Sequence, residues 1–115
     1  MNTARAESHY KRKFPRRIFP RAIGLLIDGV YYLGQGQEMG EGGMSFFLPK
    51  LCQLAAEGVI SFQIPGGSFI SVRVEIRSSA QAEKGEYIIG CLFKNLKFEH
   101  KREIRSYVSA RPDFQ

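Results

Sequence analysis

The sequence predicts a mainly β fold, a small six-stranded antiparallel barrel followed by a C-terminal α-helix. Short stretches rich in β-branched and aromatic residues recur along the 115-residue chain, with turn-forming residues between them. Near its end the chain has instead the apolar spacing of an amphipathic helix. A chain of this length forms one domain and buries about two-thirds of its unfolded surface. We expect residues 11–110 to form this domain, between a disordered arm (residues 1–10) and a tail (residues 111–115).

A hairpin is predicted at the start of the barrel. Residues 22–27 and 30–33 are apolar stretches separated by Asp28-Gly29. This dipeptide is typical of a type I′ turn, because both central positions need a positive φ. Residues 34–43 contain five glycines, and we expect them to form a loop whose backbone approaches a ligand closely.

Four further strands are predicted in the rest of the chain: residues 44–48, 59–64, 69–77 and 86–93. The third of these alternates apolar and polar side chains, which indicates a sheet with one buried face. Residues 78–85 are predicted to be a polar loop, and Gly90 marks a bulge or a tight bend. Residues 98–110 are predicted to be the helix. Its apolar stripe contains Ile104, Tyr107 and Val108.

The amino-terminal segment carries the whole charge excess of the chain. Residues 1–21 hold seven basic residues and one acid, a net charge of +6, whereas the other residues hold ten basic and ten acidic side chains. Pro15 and Pro20 disfavour a long helix in this segment. We therefore expect an extended or turning segment, the arginine strap (residues 11–21), that presents guanidinium groups to an anionic partner.

Catalytic and metal-binding patterns are not recognisable in the sequence. It contains no nucleophile-elbow motif and no glycine-rich phosphate loop ending in Gly-Lys-Ser/Thr. The two cysteines and two histidines lack the spacing of a zinc site; they are Cys52, Cys91, His9 and His100. We therefore predict no catalytic residue, no metal site and no cofactor, and we expect a binding module rather than an enzyme.

The predicted location is the cytoplasm. Two cysteines are too few for a disulfide framework, which favours a thiol-reducing compartment. No apolar run approaches the roughly 20 residues of a membrane helix, so no membrane insertion is predicted.

Two segments of the chain resemble the sequence motifs of the PilZ domain. Arg12 and Arg16 match its Arg-x-x-x-Arg motif, and residues 38–43 stand where the family has Asp/Asn-x-Ser-x-x-Gly. The succession of short strands, the glycine in the last strand (Gly90) and the final helix are also similar to the family. The resemblance extends over residues 11–108.

The resemblance implies a bacterial receptor for cyclic di-GMP that binds the dinucleotide between the strap and the second motif. The ligand has two phosphates and guanine N7 and O6 acceptors, and an arginine side chain can bind either kind of group with two N–H donors. We expect the receptor to act on a downstream protein partner. The ligand-binding residues that the resemblance implies are Arg12, Arg16, Arg17, Glu38, Gly40 and Gly43.

The second motif departs from the family pattern at two positions. Glu38 is one methylene longer than the family's Asp, and Gly40 lacks the serine hydroxyl, so only Gly43 matches. The lost hydroxyl is worth about 0.5–1.5 kcal/mol. A desolvated arginine contact is worth more, about 2–5 kcal/mol. We therefore expect the arginines to dominate binding, with an affinity that the altered motif weakens.

Two alternative functions are compatible with the same residues. The altered second motif also fits an adaptor of the same fold that acts through protein–protein interaction and binds no nucleotide. Basic residues interleaved with Tyr10, Phe14 and Phe19 fit a less favoured function, sequence-neutral nucleic-acid binding with base stacking. Aromatic side chains that only anchor the strap on the barrel would argue against stacking.

Overall fold

The computed structural model describes residues 15–110, which form seven strands and one helix. In chain order the elements are β1 (Arg17–Ile18), β2 (Ala22–Ile27), β3 (Val30–Met39), β4 (Gly43–Leu48), β5 (Glu57–Gln63), β6 (Phe69–Gln81), β7 (Tyr87–Lys94) and α1 (Phe98–Ser109). The predicted arm, residues 1–10, and the predicted tail, residues 111–115, lie outside the described residues.

Six of the strands close into an antiparallel barrel. Their order is β3-β2-β5-β6-β7-β4, and β4 pairs with β3 to complete the ring. The predicted barrel and its C-terminal helix are therefore confirmed. The prediction did not include the short strand β1. It pairs with Glu38 and Met39 of β3, past Gln35, where the pairing of β3 with β2 stops.

The first hairpin has the turn that its sequence predicts. Asp28 has a φ of 52° and Gly29 a φ of 75°, as a type I′ turn requires. Ile27 and Val30 pair across the turn. This hairpin joins β2 to β3 in register and directs Ile27 into the core.

The glycine-rich segment is mostly a strand, and the predicted loop over residues 34–43 is wrong for residues 34–39 and for Gly43. Only residues 40–42 lie between β3 and β4. A Cβ at Gly34 would collide with the carbonyl oxygen of Phe47, and one at Gly36 with that of Phe19. These glycines let neighbouring backbones pack closely against β3, so they support pairing rather than a loop.

Strand β6 is longer than predicted, and its pairing with β7 is irregular. Strand β6 continues to Gln81, so the predicted polar loop over residues 78–85 is shorter. The register between β6 and β7 shifts after Ile76, and Ser78 then lies opposite Gly90. The irregularity predicted at Gly90 is present there, with the extra residue, Arg77, in β6.

The core fills the barrel and extends under the helix. The inward side chains of β6 are buried, as their alternation predicts; they are Ile70, Val72, Val74 and Ile76. Helix α1 buries Ile104 and Val108. Phe19, which follows β1, is 0% exposed and meets the rings of Phe62 and Tyr107 edge to face at 5.7 and 5.8 Å. The strap is thus anchored in the core.

Within residues 15–110, α1 lacks the length and apolar character needed to cross a lipid bilayer.

Candidate ligand-binding site

Strand pairing brings the strap and the second motif together. Arg17 pairs with Met39 and Ile18 with Glu38, at the end of β3 that leads into the motif. We call residues 38–43 the motif loop. The two segments are far apart in sequence, and the β1–β3 ladder aligns them.

Arg16 and Glu38 face each other across this junction. Arg16 Nη1 lies 3.8 Å from Glu38 Oε1, and the two side chains are 48% and 33% exposed. This distance is too long for a hydrogen bond. Exposed ion pairs of this kind contribute about 0–1 kcal/mol, so either head group can turn to another partner at little cost.

Gly40 lies directly under the strap. The residue is buried, and a Cβ at this position would lie 3.3 Å from the carbonyl oxygen of Pro15 and 3.5 Å from Cγ of Arg16. The first of these distances is tight for a carbon–oxygen contact. The missing side chain therefore allows the strap backbone to pack against the motif loop.

The rest of the motif loop is held by backbone contacts. The Gly40 N–H donates to the Gly43 carbonyl at 2.9 Å, and the Gly42 carbonyl accepts from Phe93 N–H at 2.8 Å. A Cβ on Gly43 would collide with the carbonyl oxygen of Cys91. The family's glycine is retained at position 43 because β4 and β7 approach too closely there for a side chain.

Ser45 helps to fix the position of Glu38, and neither sequence motif includes this serine. Ser45 lies opposite Glu38 in the β3–β4 ladder, where the register shifts after Gly36. Its Oγ accepts from the Glu38 N–H at 3.3 Å and donates to Gln37 Oε1 at 2.6 Å. The pairing of residues 38 and 45 across a three-residue turn is the signal that identifies this serine, and it becomes visible only once β3 is recognised as a strand.

Arg17 is directed to the helix rather than to the motif loop. Its Nη1 donates to the Tyr107 carbonyl at 2.9 Å, and its guanidinium carbon lies 4.4 Å from the centroid of the Tyr107 ring. A cation at the C-terminal end of a helix interacts favourably with the helix dipole. In return, the Tyr107 hydroxyl donates to the Ile18 carbonyl at 2.7 Å.

Helix α1 contacts the motif loop as well as the strap. Arg105 binds Glu41 through two bonds, Nε to Oε2 at 2.7 Å and Nη2 to Oε1 at 3.1 Å. The Glu41 side chain is only 10% exposed. This hydrogen bond lowers the pKa of Glu41 below its ordinary value, so the carboxylate is charged at neutral pH.

The predicted site residues fall into three groups. Arg16, Glu38, Gly40 and Gly43 are brought together at the junction of strap and motif loop. Arg17 adjoins this junction but contacts Tyr107. Arg12 lies outside the described residues, and so do Tyr10 and Phe14.

Other kinds of chemistry have little support in this part of the chain. Among residues 15–110, no group of three or more His, Cys, Asp or Glu side chains is arranged to hold a metal ion. Burial raises the pKa of Cys91 to about 12, so its thiol is unreactive at neutral pH. Phe19 is buried in the core and cannot stack on a base.

Comparison with solved structures shows the same fold in several bacterial proteins. The structure of MotI/DgrA, an inhibitor of motility from Bacillus subtilis, matches with a TM-score of 0.75 and 10% identity, over 84% of this chain and 49% of that one. The PilZ domain of YcgR from Escherichia coli, solved with c-di-GMP, matches with a TM-score of 0.69 and 13% identity, over 85% of this chain and 88% of that one.

A third structure, PlzA from Borreliella burgdorferi in complex with c-di-GMP, matches with a TM-score of 0.66 and 13% identity, over 92% of this chain and 44% of that one. The chain thus spans about half the length of MotI/DgrA and of PlzA. At these identities the likeness is one of fold. No curated protein matches by sequence.

The family model of the PilZ domain matches residues 10–110, nearly the whole chain. That range includes the strap, the motif loop, all strands of the barrel and α1. The chain belongs to the PilZ domain family.

Proposed function

We propose that this protein is a receptor for cyclic di-GMP, with no enzyme activity of its own, that acts in the bacterial cytoplasm. The observation that carries the proposal is the β1–β3 pairing, which places Arg16 within 3.8 Å of Glu38. A cationic strap and an acidic motif loop then border one exposed surface. The structures of YcgR and PlzA with c-di-GMP have the same fold and support this assignment.

The chemistry of the site suits a guanine dinucleotide. Arg16 has a half-exposed guanidinium that can bind a phosphate or the N7/O6 edge with two donors. Arg12 is assigned to the same task by its motif spacing. The Glu38 carboxylate can accept from guanine N1–H and the exocyclic amine. Gly40 and Gly43 shape the motif loop, because they let it pack closely against the strap and β7.

A calorimetric titration with cyclic di-GMP tests the proposal. We expect wild-type binding at micromolar or lower concentration and a loss of about 2–5 kcal/mol in Arg16→Ala, which is thirtyfold or more in Kd. Arg73→Ala is the charge-matched control, because Arg73 is exposed on β6 and makes no ion pair among the described residues. The absence of heat from the wild-type protein at high micromolar ligand would refute the proposal.

The adaptor function is the second candidate, and Gly40 favours it. The strap backbone packs against the position where the family's serine side chain would stand, so one ligand contact is lost. In this alternative the strap and motif loop form a surface for a protein partner. A pull-down from a bacterial lysate distinguishes the two: capture of a partner that does not change when cyclic di-GMP is added supports the adaptor.

A further inference from the structure

Helix α1 contacts both halves of the candidate site, although neither motif includes it. Arg105 binds Glu41 of the motif loop through two hydrogen bonds. Tyr107 binds the strap at two points, through its carbonyl to Arg17 and through its hydroxyl to Ile18. These contacts connect residues that are 64 to 90 positions apart in the chain.

The two contacts leave the helix in different directions. Residues two positions apart on an α-helix point about 200° away from each other. Arg105 therefore reaches the motif loop on one side of α1, and Tyr107 reaches β1 on the other. A rigid helix, fixed in the core by Ile104 and Val108, sets the distance between these two attachment points.

The attached segments are both short, and each has other supports besides α1. Strand β1 is two residues long and pairs only with β3, and the buried Phe19 ring anchors the chain after it. Only residues 40–42 of the motif loop lie between β3 and β4, and backbone bonds from Gly40 to Gly43 and from Phe93 to Gly42 hold this part. The side-chain bonds from α1 join the two segments to one common element.

We propose that Arg105 and Tyr107 are positioning residues for the ligand site, and that α1 holds the strap and the motif loop at the separation that the ligand requires. This inference rests on the proposed function. Binding and helix docking are then coupled in both directions: the docked helix raises ligand affinity, and the ligand stabilises the docked helix. Arg17 contributes through Tyr107, while Arg16 makes the direct contact.

Ligand titrations of helix variants test the proposal. We expect Arg105→Ala to weaken cyclic di-GMP binding about five- to tenfold, at the low end of allosteric couplings. Arg102→Ala removes the same charge from the same helix, and its guanidinium lies 5.8 Å from the Phe98 ring rather than against the motif loop. It should bind within twofold of wild type. Unchanged affinity in Arg105→Ala would overturn the proposal.

A double-mutant cycle separates positioning from general damage to the fold. If Arg105 acts through Glu41, then Glu41→Ala, Arg105→Ala and the double variant should lose about the same affinity. Tyr107→Phe removes the hydroxyl bond to Ile18 at the other attachment of the same helix. Because the helix sets the separation only while both segments are attached, the losses from Arg105→Ala and Tyr107→Phe should be less than additive. Additive losses from Glu41→Ala and Arg105→Ala would refute the assigned contact.

Amide hydrogen exchange without any ligand gives an independent test. We expect Arg105→Ala to speed the exchange of the Gly40 N–H, which bonds to Gly43 within the motif loop, and Arg102→Ala to leave it unchanged. If wild-type protein binds no dinucleotide, the proposed function fails while this measurement still tests the helix contact. Equal exchange at Gly40 in all three proteins would contradict the inference.

Discussion

Glu38 shows how the position of one side chain depends on residues from two other segments. Its backbone pairs with Ile18 of the strap and with Ser45 of β4, and its carboxylate faces Arg16. The motif resemblance predicted Glu38 and Arg16 as site residues, and the structure brings them together. Ser45 lies outside both motifs, and its contact with Glu38 depends on a strand register that the sequence does not show.

Glu38→Asp tests whether the longer carboxylate limits affinity. Asp has one rotatable bond fewer and is the family's residue, so we expect cyclic di-GMP to bind about two- to fivefold more tightly, a gain of about 0.5–1 kcal/mol. Glu57→Asp on β5 is a matched control, because its side chain is 61% exposed and pairs with Lys94, away from the strap and the motif loop. Weaker binding by Glu38→Asp would mean that the extra methylene is matched to this site.

Gly40→Ser is the companion variant, and the structure limits its expected gain. A Cβ at position 40 meets the Pro15 carbonyl oxygen at 3.3 Å, so the strap must move by a few tenths of an ångström to admit the side chain. We expect the restored hydroxyl to contribute no more than about 0.5–1.5 kcal/mol to binding. In the same titration, a gain of more than about 1.5 kcal/mol, the full worth of one hydrogen bond, would show that the strap moves without cost.

At the scale of elements, the sequence predicts strands least well where they contain glycines. The hairpin at Asp28 and the alternation in β6 were predicted because turn chemistry and the two-residue period are local signals. For residues 34–39 of β3 the sequence predicts a loop, because Gly34 and Gly36 have no side chain to show a period. Strand β1 has only two residues, and no pattern can indicate a strand that short.

Gly43→Ala measures the close approach of β4 to β7. The new methyl would collide with the Cys91 carbonyl oxygen, and we expect a loss of about 1–3 kcal/mol in the free energy of unfolding. Gly42→Ala is the control one residue earlier, where nothing lies within 4 Å of an added Cβ. Urea unfolding of both variants gives the comparison. Equal stabilities would show that the barrel opens at this point without strain.

At the scale of the whole molecule, closure of the barrel and docking of α1 bring distant parts of the chain together. The sequence predicted the number of barrel strands and the final helix, and both are confirmed. It did not predict that α1 binds the strap and the motif loop. Arg105 and Tyr107 have no motif of their own, and their partners become neighbours only after the barrel closes.

The link between Glu41 and Arg105 should give the protein a defined acid sensitivity. The hydrogen bond from Arg105 lowers the pKa of Glu41 below its ordinary value of 4.5. A carboxyl group whose pKa is lower in the folded protein than in the unfolded protein adds to the free energy of unfolding. This contribution is fully present above pH 4.5, and it is lost as the pH falls through the pKa of the folded protein. The free energy of unfolding of wild type should therefore exceed that of Arg105→Ala most at neutral pH, and the gap should narrow in acid.

Urea titrations of both proteins between neutral pH and pH 3 check this expectation. The pKa of Glu103 is also lowered, because the Ser68 hydroxyl and amide donate hydrogen bonds to its carboxylate. Its contribution is the same in both proteins and cancels in the difference. A gap that stays constant down to pH 3 would mean that Glu41 gains nothing from Arg105.

Burial of Phe19 limits how far Arg16 can move. The ring is fully enclosed between Phe62 and Tyr107, so this point of the chain is a fixed pivot. Arg16 is three residues away, and a chain extends at most about 3.6 Å per residue, which confines its Cα to within about 11 Å of that pivot. A ligand bound by Arg16 would therefore lie beside the barrel wall.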